Sequence, residues 1–481
     1  MLDDDTIIYT SGISYKIHNV QSGKMKLFFS RDGGGIGSIA VDKQQKYFAV
    51  AEKGSFPNIY IFEYPSLRLY RILRGGTEKS YSNVSFSLRG EKLASVGSEP
   101  DFNICIWDWR NEILVLKAKA FSQEVFRVIF SDHSDTILST SGLAHLRFWK
   151  IAGTFTGLKL KGQTGKFGSV ELSDITGFYI LPDGKVVSGS ENGRLLLWEG
   201  NLIKAVLCIS EEKGCHEGVI NTIQKVGNHI ISAGRDGFVR YWNYEEIDNM
   251  EANDQLLGFL KPEREFMIVT NPEDPPESHR PADIYEIVVY KGYWLIHDAM
   301  GKVFKVTINP DSITQQELLS FNSGKITGIS NSRESNALAS IGQDGAVRLL
   351  DIVNRKEYYT RGFLGRGTCI DWLRLTNNHK DRFVAAGYDN GIVRIVHFSK
   401  EKMYLRKAMK VHNNPVKSLS FSPSGDCLAV LSANGEIFFF SVSPDEEQPG
   451  DIRVDPICIY PVQKKIKSMV WAQTMSRLLL G

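Results

Sequence analysis

The chain has 481 residues, 42% of them apolar, with 57 Lys and Arg against 55 Asp and Glu. That length exceeds one ordinary core and favours two or more domains. The composition excludes bulk disorder, and a net charge of +2 gives no basis for a nucleic-acid partner, which takes clustered excess Lys and Arg.

The chain opens Met1-Leu2-Asp3-Asp4-Asp5, too acidic for a secretory signal. No apolar run is long enough to span a bilayer, so no membrane partner is expected. The six cysteines, Cys105, Cys208, Cys215, Cys369, Cys427 and Cys458, are scattered and form no C-x-x-C pair. That usage fits a reducing, intracellular compartment.

Three strands are read first, at 6–11, 13–18 and 25–29. They form a unit that lacks an innermost strand; that strand must come from elsewhere, such as Lys325–Asn331 or a segment beyond this chain. A repeat then organises everything downstream. In Asp236-Gly237-Phe238-Val239-Arg240-Tyr241-Trp242 an Asx-Gly turn leads into an alternating strand that ends in a large apolar anchor. Asn192-Gly193 leads likewise to Trp198, Asp344-Gly345 to Leu350, Asn390-Gly391 to Val396 and Asn434-Gly435 to Phe440. Weaker copies end at Ile17, Phe62, Trp107, Trp149 and Val306.

These ten anchors recur about every 44 residues, as four-stranded propeller blades do. Asx-Gly supplies the positive φ of a tight hairpin. The flanking runs alternate like half-buried strands. A single blade cannot bury both faces, so blades must stack around a ring. The fold class is therefore all-β, a WD-repeat β-propeller with one seven-bladed ring followed by an incomplete second propeller.

Seven anchors precede residue 320. We expect a first propeller over 1–322 and the start of a second over 323–481, with about three blades and a partial one. The longest interval, between Trp242 and Val306, holds Pro-rich and acidic residues 251–282, read as an insertion loop on the surface. A second ring of three blades and a strand would expose large apolar faces, so a fragment, truncated isoform or incomplete gene model of a longer protein is expected.

One repeat carries a full polar set. His216, Ser232, Asp236 and Trp242 are spaced to hydrogen-bond as a relay, indole to hydroxyl to imidazole to carboxylate, bracing strands against one another. The same residue types could form a catalytic triad, but no G-x-S-x-G elbow accompanies them. Gly33-Gly34-Gly35-Ile36-Gly37 is followed by no helix pattern. Gly162-Gln163-Thr164-Gly165-Lys166 fails as a Walker A loop, with Leu160 in place of its first glycine and Phe167 in place of Ser or Thr. Cys215-His216 lacks a second pair at zinc spacing. We expect no catalytic, cofactor-binding or metal-binding residue and no cofactor. Two short basic runs, Lys402/Arg406/Lys407/Lys410 and Lys464/Lys465/Lys467, read as solvated edges; a basic face there would suit an acidic protein surface such as a tubulin tail.

Trp107-Asp108 is a literal WD dipeptide. The non-repeating stretches are more specific: AVAEKGSFPNIYIFEYPSLRLYRILRGGTEKSY (49–81), IWDW (106–109), KAFSQEVF (119–126), RFWKIAGTFTGLKLKG (147–162) and LPDGKVVSGSENGRLLLWEGNLIK (181–204). Over most of residues 1–330 the chain resembles the N-terminal propeller region of the cilia- and flagella-associated protein 44 family. It resembles the echinoderm-microtubule-associated-like proteins more distantly. The first resemblance implies a non-catalytic scaffold of the ciliary or flagellar axoneme, within the tether and tether-head complex that holds inner-arm dynein to the doublet microtubule. Its implied partners are tether-complex subunits, inner-arm dynein and the doublet microtubule. The second implies a cytoplasmic microtubule-binding protein. A propeller enzyme is a third reading, and it would need converging His and carboxylates at one mouth of the channel.

Overall fold

Alternating apolar runs joined by tight turns fold here into antiparallel ladders, each repeat a small sheet. The computed structural model describes the chain apart from residues 156, 273–274, 291, 310–311, 321, 323, 333–334, 355, 374–381, 399–402, 446–450, 463–465, 467–468 and 473–476. It divides into two compact units, Met1–Leu319 and Ser320–Gly481.

The first unit holds seven sheets, called blades 1–7 in chain order. Blade 1 has three strands, Thr6–Ser11, Ser14–Asn19 and Met25–Phe29. Blades 2, 3 and 4 are regular four-stranded sheets over 36–73, 81–119 and 125–164. Blade 5 covers 178–208, blade 6 begins at Ile220 and blade 7 covers 284–320. The second unit holds four-stranded blades over 326–361, 367–410 and 416–461, then a two-stranded sheet over 469–480. The segment Ile326–Asn331 pairs with Ala337–Gly342 as the first strand of its own blade, so it does not complete blade 1.

The stretch 251–282 is not a plain loop. Leu257–Phe259 adds to blade 5 as a fifth, parallel strand beside Leu202–Cys208. Arg264–Met267 is the outer strand of blade 6, antiparallel to Phe238–Asn243. Leu260, Phe266 and Ile268 are buried. Apolar burial thus orders a segment whose proline and acid content reads as loop.

The expected anchors from Phe62 onward lie on the third strand of their blades, while Ile17 lies on the second of the three strands of blade 1. Phe62, Trp107, Trp149, Trp198, Trp242, Val396 and Phe440 are buried, while Leu350 is half-buried. Their side chains fill the space between neighbouring blades. Trp107 packs with Ala49, Ile61 and Val84, and Trp149 with Val96 and Ile106 of the preceding blade. Truncating such a residue costs about 3–5 kcal/mol. The Asx-Gly turns do what the spacing requires: Gly237 has φ +75°, and a Cβ there would meet Pro281 and Ala282.

Blade 7 meets the N-terminal segment through polar contacts. The Tyr290 hydroxyl donates to the Asp4 carboxylate, and the Tyr293 hydroxyl donates to the Asp4 carbonyl oxygen at 2.6 Å.

Candidate functional site

The relay in blade 6 is built by register. Ser232 sits on the second strand, His229–Gly234, and Trp242 on the third, directly paired with Ile230. The Trp242 indole N–H donates to the Ser232 hydroxyl at 2.7 Å. That hydroxyl lies 2.7 Å from His216 Nε2, and His216 Nδ1 lies 2.9 Å from Asp236 Oδ1. The chain closes if Nδ1 carries the proton and Nε2 accepts from Ser232. Arg240 donates to the second Asp236 oxygen at 2.7 Å and to Glu265 at 2.8 Å.

Burial lowers the His216 imidazole below its ordinary pKa, against the pull of Asp236. Burial pushes the Asp236 carboxyl up, but hydrogen bonds from His216 and Arg240 outweigh it and hold the group well below the usual carboxylate range. The ring is neutral and the carboxylate charged at neutral pH. All four side chains lie inside the blade, and the Ser232 oxygen is consumed between indole and imidazole. As a nucleophile it would have to abandon a buried indole N–H. Cys215 beside it is buried, its Sγ 3.4 Å from the Leu207 carbonyl oxygen, and burial pushes its thiol up to about 12.

The indole-to-hydroxyl link recurs beyond the one repeat singled out from sequence. Trp107 donates to Ser95, Trp149 to Thr140 and Trp198 to Ser188, each at 2.9 Å. The hydroxyl lies nine to twelve residues before its tryptophan, a signal the spacing carries.

A second candidate is the channel of the first unit, a cavity of 510 Å³. In five blades the innermost strand shifts register by one residue near its start, leaving Gly37, Ser82, Phe126, Asn221 and Tyr285 unpaired. Such bulges re-aim side chains, and all five line the channel. Arg127 and Glu286, each next after a bulge, meet as a bidentate pair with N···O distances of 3.2 and 2.6 Å. The pair ties blade 4 to blade 7. No periodic signal links positions so far apart in the chain. Glu124 and Lys53 also line the channel. Among the described residues, no cluster of three or more His, Cys, Asp or Glu is placed to hold a metal ion.

The glycine-rich motifs serve packing. A Cβ on Gly37 would lie 2.0 Å from the Tyr81 carbonyl oxygen, and one on Gly162 would lie 2.4 Å from the Trp149 ring. Of the basic runs, Lys402, Lys464, Lys465 and Lys467 lie outside the described residues. Arg406 pairs with Asp451, and Lys407 and Lys410 donate to the backbone oxygens of Val454 and Asn390.

Two family models fit this architecture. Residues 30–263 match the family described as echinoderm microtubule-associated protein first beta-propeller, and residues 404–441 match the WD domain, G-beta repeat. The cilia- and flagella-associated protein 44 of Mus musculus is 38% identical over 480 residues, covering 95% of this chain and 26% of the relative. That of Chlamydomonas reinhardtii is 35% identical, covering 94% of this chain and 26% of the relative. The chain therefore spans about a quarter of the length of these curated relatives. Among solved structures, the Cps50 (Swd1) beta-propeller domain of Myceliophteria thermophila aligns with 83% of this chain and 99% of its own at a TM-score of 0.41 and 11% identity.

Proposed function

We propose, from the premise that this chain is a WD-repeat β-propeller protein similar to the cilia- and flagella-associated proteins 44, that it is a non-catalytic scaffold of the ciliary or flagellar axoneme. The observation that carries this reading is likeness to those proteins over 95% of the chain in the mouse case. In this reading it contributes to a tether complex that holds inner-arm dynein to the doublet microtubule. The relay of His216, Ser232, Asp236 and Trp242 acts as a brace within blade 6, and the anchors Phe62 to Phe440 hold blades together. Residues 1–322 act as one seven-bladed unit, and 323–481 begin a second. Rims and channel mouths present loops to other proteins, as rigid propellers do.

Expressing the tagged chain in a ciliated cell tests the proposal. Enrichment along the axoneme is expected, and exclusion from cilia rejects it. Purified residues 1–322 should unfold in one cooperative transition; aggregation would reject the division.

A second reading has its own support in the match of residues 30–263 to an echinoderm microtubule-associated protein propeller. It makes the chain a cytoplasmic microtubule-binding protein. Co-sedimentation of the purified chain with microtubules, together with cytoplasmic localisation, would favour it.

A further inference from the structure

Blade 4 ends in a hairpin longer than its neighbours. Its third strand, His145–Thr154, has 10 residues and its fourth, Gly157–Thr164, has 8. The third strands of blades 3, 5 and 6 have 6, 5 and 6. Between Asp135 and Glu171 the sequence contains no acidic residue, while Arg147, Lys150, Lys159, Lys161 and Lys166 fall within it.

Register puts three of these lysines on one face. Lys150 is directly opposite Lys161, and Ala152 is opposite Lys159. Trp149, Ile151 and Leu160 point to the other face and pack against blade 3. Lys150, Lys159 and Lys161 are all exposed. None has a side-chain ion pair or hydrogen bond among the described residues, unlike Arg406, Lys407 and Lys410 on Met403–Lys410, the outer strand of the blade over 367–410.

Like charges directly opposed across a ladder repel. Here the opposed pair stands with no internal acid to relieve it. We propose that this face is a docking surface for an extended acidic polypeptide segment. Opposed Cβ atoms in a ladder lie about 5 Å apart, so one carboxylate can bridge Lys150 and Lys161. Residues two apart on a strand repeat every ~6.7 Å, so Lys159 and Lys161 match carboxylates at alternate positions of an extended chain. The hairpin tip, where Phe155 is fully exposed and Leu158 is half exposed, offers far less apolar area than interfacial membrane anchors use. That favours a polypeptide over a lipid surface.

Fluorescence anisotropy of labelled poly-L-glutamate with the full chain tests this. Saturable, salt-sensitive binding is expected. The variant Lys150→Gln/Lys159→Gln/Lys161→Gln should weaken it about tenfold with an unchanged melting midpoint. The equal-charge control Lys24→Gln/Lys26→Gln/Lys46→Gln, at other exposed lysines, should change it less than about twofold. No binding by the parent chain, or equal losses in both variants, overturns the proposal. So does binding to phosphatidylserine vesicles that is lost in Phe155→Ser while poly-L-glutamate fails to bind.

Discussion

Replacing Ser232 by alanine removes one oxygen that serves two buried partners. Ser232 is 1% exposed, and its hydroxyl sits 2.7 Å from both the Trp242 indole nitrogen and His216 Nε2. Its loss leaves an N–H and an imidazole nitrogen unpaired, each costing about 1–3 kcal/mol, so roughly 2–6 kcal/mol in total. Ser188→Ala removes an oxygen that, among the described residues, serves only the Trp198 indole, at about 1–3 kcal/mol. Ser95→Ala does the same for Trp107. Urea unfolding followed by tryptophan fluorescence reports mainly the first unit, because six of the eight tryptophans, from Trp107 to Trp294, lie in it. Ser232→Ala should lower stability about twice as much as either single-partner variant, and the excess should vanish in a His216→Phe background. Equal losses for Ser232→Ala and Ser188→Ala would refute the reasoning, since the imidazole would then not be leaning on Ser232.

The relay also sets a pH dependence. The buried His216 binds its proton less readily than an unfolded histidine, so the unfolded chain protonates first and stability falls as pH drops below about 6.5. Asp236 has the depressed pKa of a paired carboxylate; its contribution is complete above about 3.9 and is lost as pH falls towards its folded value. Urea midpoints at pH 7.5 and 5.5 should differ more for the parent than for His216→Gln. Gly193→Ala should cost at least ~2 kcal/mol, because Gly193 has φ +79° and a Cβ would lie 1.8 Å from the His216 carbonyl oxygen; a wild-type melting point would contradict this. A double-mutant cycle on Arg127→Met and Glu286→Gln should give a coupling of about 1 kcal/mol that shrinks with added salt, and zero coupling in low salt would show that the cross-channel pair does not brace the ring.

By itself the sequence determined the blades. Asx-Gly turns, alternating runs and large anchors every 44 residues or so are local features, and four-stranded sheets follow from them wherever the apolar faces can stack. It also marked His216, Ser232, Asp236 and Trp242 as candidates for one network, because strand register converts their spacing into proximity. Only the tertiary structure decided what occupies the segment 251–282, where Leu257–Phe259 and Arg264–Met267 are recruited by neighbouring blades through burial that no local pattern encodes. It alone brought Arg127 to Glu286, since the partners come from opposite sides of a ring and their meeting depends on bulges and closure. The opposed lysines of the blade 4 hairpin lie between these cases: composition shows the missing acids, but only the register of the ladder puts Lys150 against Lys161. Periodicity is a property of the chain, whereas which charge faces which depends on how the sheets pair and close.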